Sequence, residues 1–206
     1  MKKKTFVLLL ALVLIAGAAV GGTLAWLTDT TDAVQNTFTT SDIDITLAES
    51  ENLNLQMIPG CTIAKDPKVT VKAGSEDCYL FVKVEKSTNF DTYMEYAIDT
   101  DWTALDGVDG VYYIEIDTAD EKGVAFNILG TGTKAFDGIT YTWADNQVLV
   151  KPTVTKANME ALNVEGAKKP TLTFTAYAVQ LYKSNGVKFT PAEAWDLAKD
   201  LTTPTT

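Results

Sequence analysis

Residues 170–182 read PTLTFTAYAVQLY, a proline followed by a run of Thr, aromatic and aliphatic side chains. This is the longest strand signal in the chain, because β-branched and aromatic residues favour a pleated, half-buried backbone. Further strand candidates lie upstream: NQVLVKPTVT (146–155), ITYTW (139–143), VAFNIL (124–129), VYYIEI (111–116) and YMEYAI (93–98). CYLFVKVE (78–85) predicts a strand that returns beside the Val69/Val71 stretch after the turn AGSED (73–77). A tight hairpin centred near Gly74 would set Cys78 opposite Val71. IDITL (43–47) alternates with a period of two, placing Ile43, Ile45 and Leu47 on one face and Asp44 and Thr46 on the other. Pro59-Gly60 and Asp66-Pro67 read as breaks between strands.

Two short helices interrupt this β texture. TKANMEALN (155–163) opens on Thr155, a capping residue. TPAEAWDLAKDL (190–201) has Thr190 at the cap, Pro191 in the first helical position and Glu193 three residues after the cap. Its helical spacing predicts an apolar face of Ala194, Leu197, Ala198 and Leu201, with Trp195 on the flank. Many short strands, frequent turns and no alternating βαβ pattern predict an all-β domain over residues 39–206. The expected form is an antiparallel β-sandwich of jelly-roll type with one or two short helices; an immunoglobulin-like Greek key is the second choice.

The front of the chain has a different character. MKKK supplies a positive start, FVLLLALVLIAGAAVGG an apolar helix-forming segment, and Thr23 and Ala25 the small residues of a cleavage site. Residues 1–25 are therefore expected to be a hydrophobic signal helix cut between Ala25 and Trp26, leaving residues 26–38 as an extended N-terminal segment. The uncleaved alternative is a membrane anchor, since residues 6–27 carry no charge.

Composition narrows the chemistry. The 206 residues are 46% hydrophobic and 10% aromatic, ample for a packed core, and carry a net charge of −10 with no His and no Arg. Lacking His, the chain cannot assemble Ser-His-Asp or Cys-His catalysis. An acidic surface without Arg argues against nucleic acid as a partner. Cys61 and Cys78 allow either a disulfide, which export would permit, or two buried thiols. Two thiols do not complete a zinc site. Acidic loops at Asp99, Asp101, Asp106 and Asp109, and at Asp117, Asp120 and Glu121, lack EF-hand spacing and read as solvated loops. Trp102, Tyr112, Tyr113, Trp143, Tyr177 and Tyr182 suit core packing or, alternatively, sugar stacking. No catalytic residue, metal site or cofactor is expected.

GGTLAWLTDT (21–30) followed by NTFTTSDIDITL (36–47) resembles the leader and first strand of the TasA/camelysin family. The matching positions are Thr23, Ala25, Leu27, Asp29, Asn36, Phe38, Ile43 and Ile45, with Leu27 where an aromatic is usual. The resemblance is strongest over residues 1–60. It implies a Gram-positive, exported jelly-roll protein, processed by a SipW-type signal peptidase and serving as a biofilm-matrix fibre subunit. Its partners would be copies of itself or related matrix proteins, reached when the freed N-terminal segment adds as a strand to a neighbour. In this chain Trp26, Leu27, Val34 and Phe38 are the side chains such a donor would seat in a neighbouring sheet. The metalloprotease activity attributed to camelysin does not carry over, because the chain has no H-E-x-x-H. Three functions compete: a matrix subunit, a monomeric cell-surface adhesin or glycan- or calcium-binding module, and, last, a carboxylate hydrolase.

Overall fold

The structure is a computed structural model that describes residues 42–50 and 56–200. Ala25, Trp26, Leu27, Val34 and Phe38, with the signal helix and cleavage site, lie outside the described residues. Among those described, the chain is mostly antiparallel β. The strands are β1 (Ile45–Ala48), β2 (Thr62–Ala64), β3 (Lys68–Val71), β4 (Cys78–Lys86), β5 (Met94–Glu95) and β6 (Thr103–Ala104). They continue with β7 (Val111–Ile116), β8 (Ala125–Asn127), β9 (Gly132–Phe136), β10 (Ile139–Trp143), β11 (Gln147–Val150) and β12 (Leu172–Gln180). Three short helices, α1 (Phe90–Tyr93), α2 (Lys156–Leu162) and α3 (Pro191–Asp200), join them.

A four-stranded sheet in the order β12-β4-β7-β6 forms the centre, and smaller sheets β1-β3-β8 and β2-β11-β5 and a β9-β10 ribbon complete the set. β4 explains the layering. Its first five residues are all buried, so it needs cover on both faces and neighbours on both edges. On one face Cys78, Leu80, Val82 and Val84 pack with Val69 and Val71 of β3, Ile116 and Ile128. On the other, Tyr79 and Phe81 pack with Val179, Leu181 and α3 residues Ala194, Trp195 and Ala198. A third cluster joins Ile63, Val148 and Val150 of the β2-β11-β5 sheet to Phe90, Tyr93 and Met94.

This arrangement corrects the hairpin expected at Gly74. β3 pairs with β1 and β8, whereas β4 pairs with β7 and β12. Cys78 stands opposite Ile116 and Gln180, not Val71. The turn at Gly74, with φ 88°, carries the chain across the core from one layer to the next. Alternation in β3 and near-continuous apolarity in β4 were the signs of two different environments, which a hairpin would have forced into one sheet.

The segment read as a strand at 93–98 is instead the turn α1 followed by the two-residue β5. One helical turn sets Phe90 and Tyr93 on the same side, both buried in the third cluster. β9 completes a hairpin with β10, Ile139 opposite Phe136, through Asp137-Gly138. Both turn residues have positive φ, 48° and 80°, as a two-residue type I′ connection requires.

The capping predictions agree with the bonds formed. Thr155 Oγ1 accepts from Asn158 N–H at 3.2 Å, and Asn158 Oδ1 accepts from Thr155 N–H at 2.9 Å. At α3, Thr190 Oγ1 accepts from Glu193 N–H at 3.3 Å and Glu193 Oε2 accepts from Thr190 N–H at 2.9 Å. The buried face of α3 differs from that expected: Ala194, Trp195 and Ala198 are buried, and Leu197 is 49% exposed. Trp195 sets the rotation, its ring lying 5.4 Å from Phe81 and 5.3 Å from Tyr177. Leu201 lies outside the described residues.

Candidate strand-docking edge

β12 is nine residues long and bonds to β4 alone among the described strands. The other unpaired edges, of β1, β2, β5, β6, β8, β9 and β10, are two to five residues long. The direction of each β12 backbone group follows from its two ends. Leu181 N–H donates to Asp77 O at 2.9 Å, and Ser87 N–H donates to Thr171 O at 3.0 Å. In an antiparallel ladder bonding alternates along the strand. Thr173, Thr175, Tyr177 and Val179 therefore bond to β4, while the N–H and C=O of Leu172, Phe174, Ala176, Ala178 and Gln180 point outward.

Natural sheets blunt such edges with charge, proline or bulges. β12 carries none of these over LTFTAYAVQ. Its inward side chains Leu172, Phe174, Ala176 and Ala178 are only half-buried against the core, whereas Leu80 and Val82 beside them on β4 are fully buried. Among the described residues the edge therefore has no strand partner beyond β4, and its side chains are only partly covered, with Ile43 and Ile45, at the start of the described residues, packed in the same cluster. Its other face is firmly braced, with Tyr177 edge-on to Trp195 of α3.

Two cavities, each of about 310 Å³, meet at the start of this edge and share Leu172. One is lined by Ile63, Phe90, Met94 and Val148, with Lys65 and Lys169 beside them. The other lies against Leu47, Pro67 and Phe174. Lys65 stands between them, bonded to both Glu49 oxygens at 2.8 and 3.0 Å, its ammonium 5.3 Å from the Phe174 ring. Asp66 ties the same corner by accepting from Ser50 N–H and Ser50 Oγ. Those bonds hold its carboxyl below the ordinary range.

The remaining sequence candidates sit apart from this edge. Both cysteines are free, Cys61 exposed and Cys78 buried. The disulfide alternative gives way here because Cys61 precedes β2 in one sheet while Cys78 opens β4 inside the core of another. Burial pushes the Cys78 thiol up to about 11. Trp102 and Trp143 are buried, and Trp102 Nε1 donates to Asn127 O at 2.7 Å. Tyr112, Tyr113 and Tyr177 are half-buried, and Tyr182 is exposed. In the acidic loops, Asp99 Oδ1 accepts from Asp101 N–H, and Glu121 Oε2 accepts from Asp117 N–H, Thr118 N–H and Thr118 Oγ1. Partial burial opposes the Glu121 charge, but the Thr118 and Asp117 bonds prevail and keep its pKa low. Among the described residues no three Asp, Glu or Cys side chains gather as a metal site, and no helix is long and apolar enough to cross a membrane.

Sequence reading found β12 as a strand and missed it as an edge. The available signal was nine residues free of charge, flanked by Lys168, Lys169 and Lys183 in a strongly charged chain. The chain matches no protein-family model, no curated protein and no solved structure.

Proposed function

We propose that this chain is an exported, non-enzymatic structural protein of the cell surface or extracellular matrix, and that its jelly-roll-type domain joins copies of itself by strand addition. The observation that carries this reading is the β12 edge, which has no outer strand partner among the described residues: five outward backbone positions, four of them with half-covered apolar side chains. A strand laid there would satisfy the backbone and cover those side chains together. Residues 26–38, WLTDTTDAVQNTF, supply the donor once the leader is removed after Ala25 by a SipW-type peptidase. They are long enough to span β12 and combine apolar anchors with a polar remainder. The resemblance to the TasA/camelysin family supports the same assignment.

Electron microscopy of the exported protein tests it. Chains beginning at Trp26 should form fibres, and chains beginning near Thr39 should stay monomeric. Fibres of equal length and number from both would remove the N-terminal segment from assembly.

A further inference from the structure

We infer that the cavity walled by Ile63, Phe90, Met94, Val148 and Leu172 is a binding site for a small amphiphilic carboxylate, an anion with an acyl or aryl tail. The site is independent of strand addition and stands on its own observations. Its walls set the tail. Ile63, Phe90, Met94 and Val148 are buried members of one core cluster, with Leu172 packed against it. They belong to the folded core, so the walls are in place before any ligand arrives. The space they leave is about 310 Å³, within the range of small-molecule sites, roughly 300–1,000 Å³. An apolar cavity of roughly 150 Å³ holds benzene, so about twice that volume takes a tail of about eight carbons.

The rim sets the head group. Lys65 and Lys169 both line the cavity, and they differ in what their charges already do. Lys65 is neutralised by Glu49 at 2.8 Å. Among the described residues only Lys68, Lys168 and Lys169 are lysines without an ion pair. Acids outnumber basic residues 27 to 17 in this chain, so a lysine left unneutralised beside an apolar cavity is the exception. The base of Lys169 is also fixed. Asn89 Nδ2 donates to Lys168 O at 2.8 Å, and Thr171 N–H donates to Ser87 Oγ at 2.9 Å. Ser87 N–H returns a bond to Thr171 O at 3.0 Å. The backbone on both sides of Lys169 is thereby tied to the start of α1, whose Phe90 is a wall of the cavity. A carboxylate at Lys169 with its tail among the apolar walls meets both ends of the site, whereas an amine of the same length would set like charge on Lys169.

Equilibrium dialysis of the exported protein against radiolabelled octanoate tests the assignment on monomer and polymer alike. Wild type should bind octanoate saturably, about threefold more tightly than octanol and more tightly still than octylamine, both read by competition. Lys169→Glu should weaken octanoate about threefold to tenfold and make octylamine the better competitor. Lys169 is exposed, so this variant keeps the fold, which circular dichroism checks. Val148→Phe adds volume to a wall and should abolish binding. Thr171→Trp, at an exposed lining position, is the second block should Val148→Phe fail to fold. Equal affinity for the three ligands, an unchanged order in Lys169→Glu, or full octanoate binding by a folded blocking variant overturns the site. Absence of saturable binding to wild type overturns it equally. Fibre formation by the same samples, read by electron microscopy, bears on strand addition alone.

Discussion

Glu193 shows how much one exposed side chain can organise. Its carboxylate accepts from Lys183 Nζ at 2.8 Å and from both the backbone N–H and the hydroxyl of Thr190. The Lys183 bond, followed by the Thr190 bonds, lowers its pKa from 4.5 to about 2. A carboxylate depressed in the folded state contributes stability that is fully present above its unfolded pKa and is lost as pH falls through the folded one. Wild type and Glu193→Gln should therefore differ in thermal midpoint at pH 7, converge as pH falls below about 4.5 and coincide only below about pH 2. Gly132 makes a steric counterpart. A Cβ there would lie 2.0 Å from the Trp143 ring, so Gly132→Ala must push out a buried indole and should destabilise by about 1–3 kcal/mol in denaturant titrations. The cysteines give a third test. Cys61 is exposed, whereas Cys78 is buried with a thiol raised to about 11. A maleimide should modify one thiol per native chain and two after unfolding.

Among the elements, β12 offers the sharpest contrast between adjacent positions. The N–H of Thr175 belongs to the β4 ladder, while that of Ala176 points away from it. Thr175→Pro should cost about 1–3 kcal/mol for the lost bond, whereas Ala176→Pro removes an outward donor from an edge strand and should leave the melting temperature much less changed. Only Ala176→Pro should then yield a folded protein that fails to assemble, read by calorimetry and sedimentation. β10 and β7 were legible from their own residues, because ITYTW and VYYIEI coincide with the observed strands. Capping at Thr155 and Thr190 was equally local. β9 escaped notice because TGTKAF is weakly apolar, although Asp137-Gly138 marked the turn that creates it. The Cys78 pairing and the rotation of α3 were not legible, since each depends on what lies across the core. Local alternation reports that a face is buried and does not name the layer that buries it.

At the scale of the whole molecule, charge would oppose the strand addition proposed at β12. A net charge of −10 makes copies repel, and removal of the three leader lysines would leave −13. Assembly of the exported protein should therefore accelerate as ionic strength rises from about 0.01 to 0.15 M, where the screening length shrinks from about 30 to 8 Å. Light scattering across a salt series would show it, and slower growth with added salt would contradict a hydrogen-bonded, apolar edge as the driving contact. The first residue of the exported chain, read by N-terminal sequencing, should be Trp26.

The doubly buried β4 also sets the order in which the chain can become a folded object. Its partners β7 and β12 arrive late: Cys78 waits for Ile116 on one side and for Gln180 on the other. The helix that covers Tyr79 and Phe81 begins only at Pro191. A chain lengthening from its N-terminus thus holds one face and both edges of its central strand incomplete until α3 is made, and contacts of such long sequence separation form slowly. Timing is consequently written into the topology: β4 is made well before the strands and the helix that complete it, and it can set only once α3 has followed.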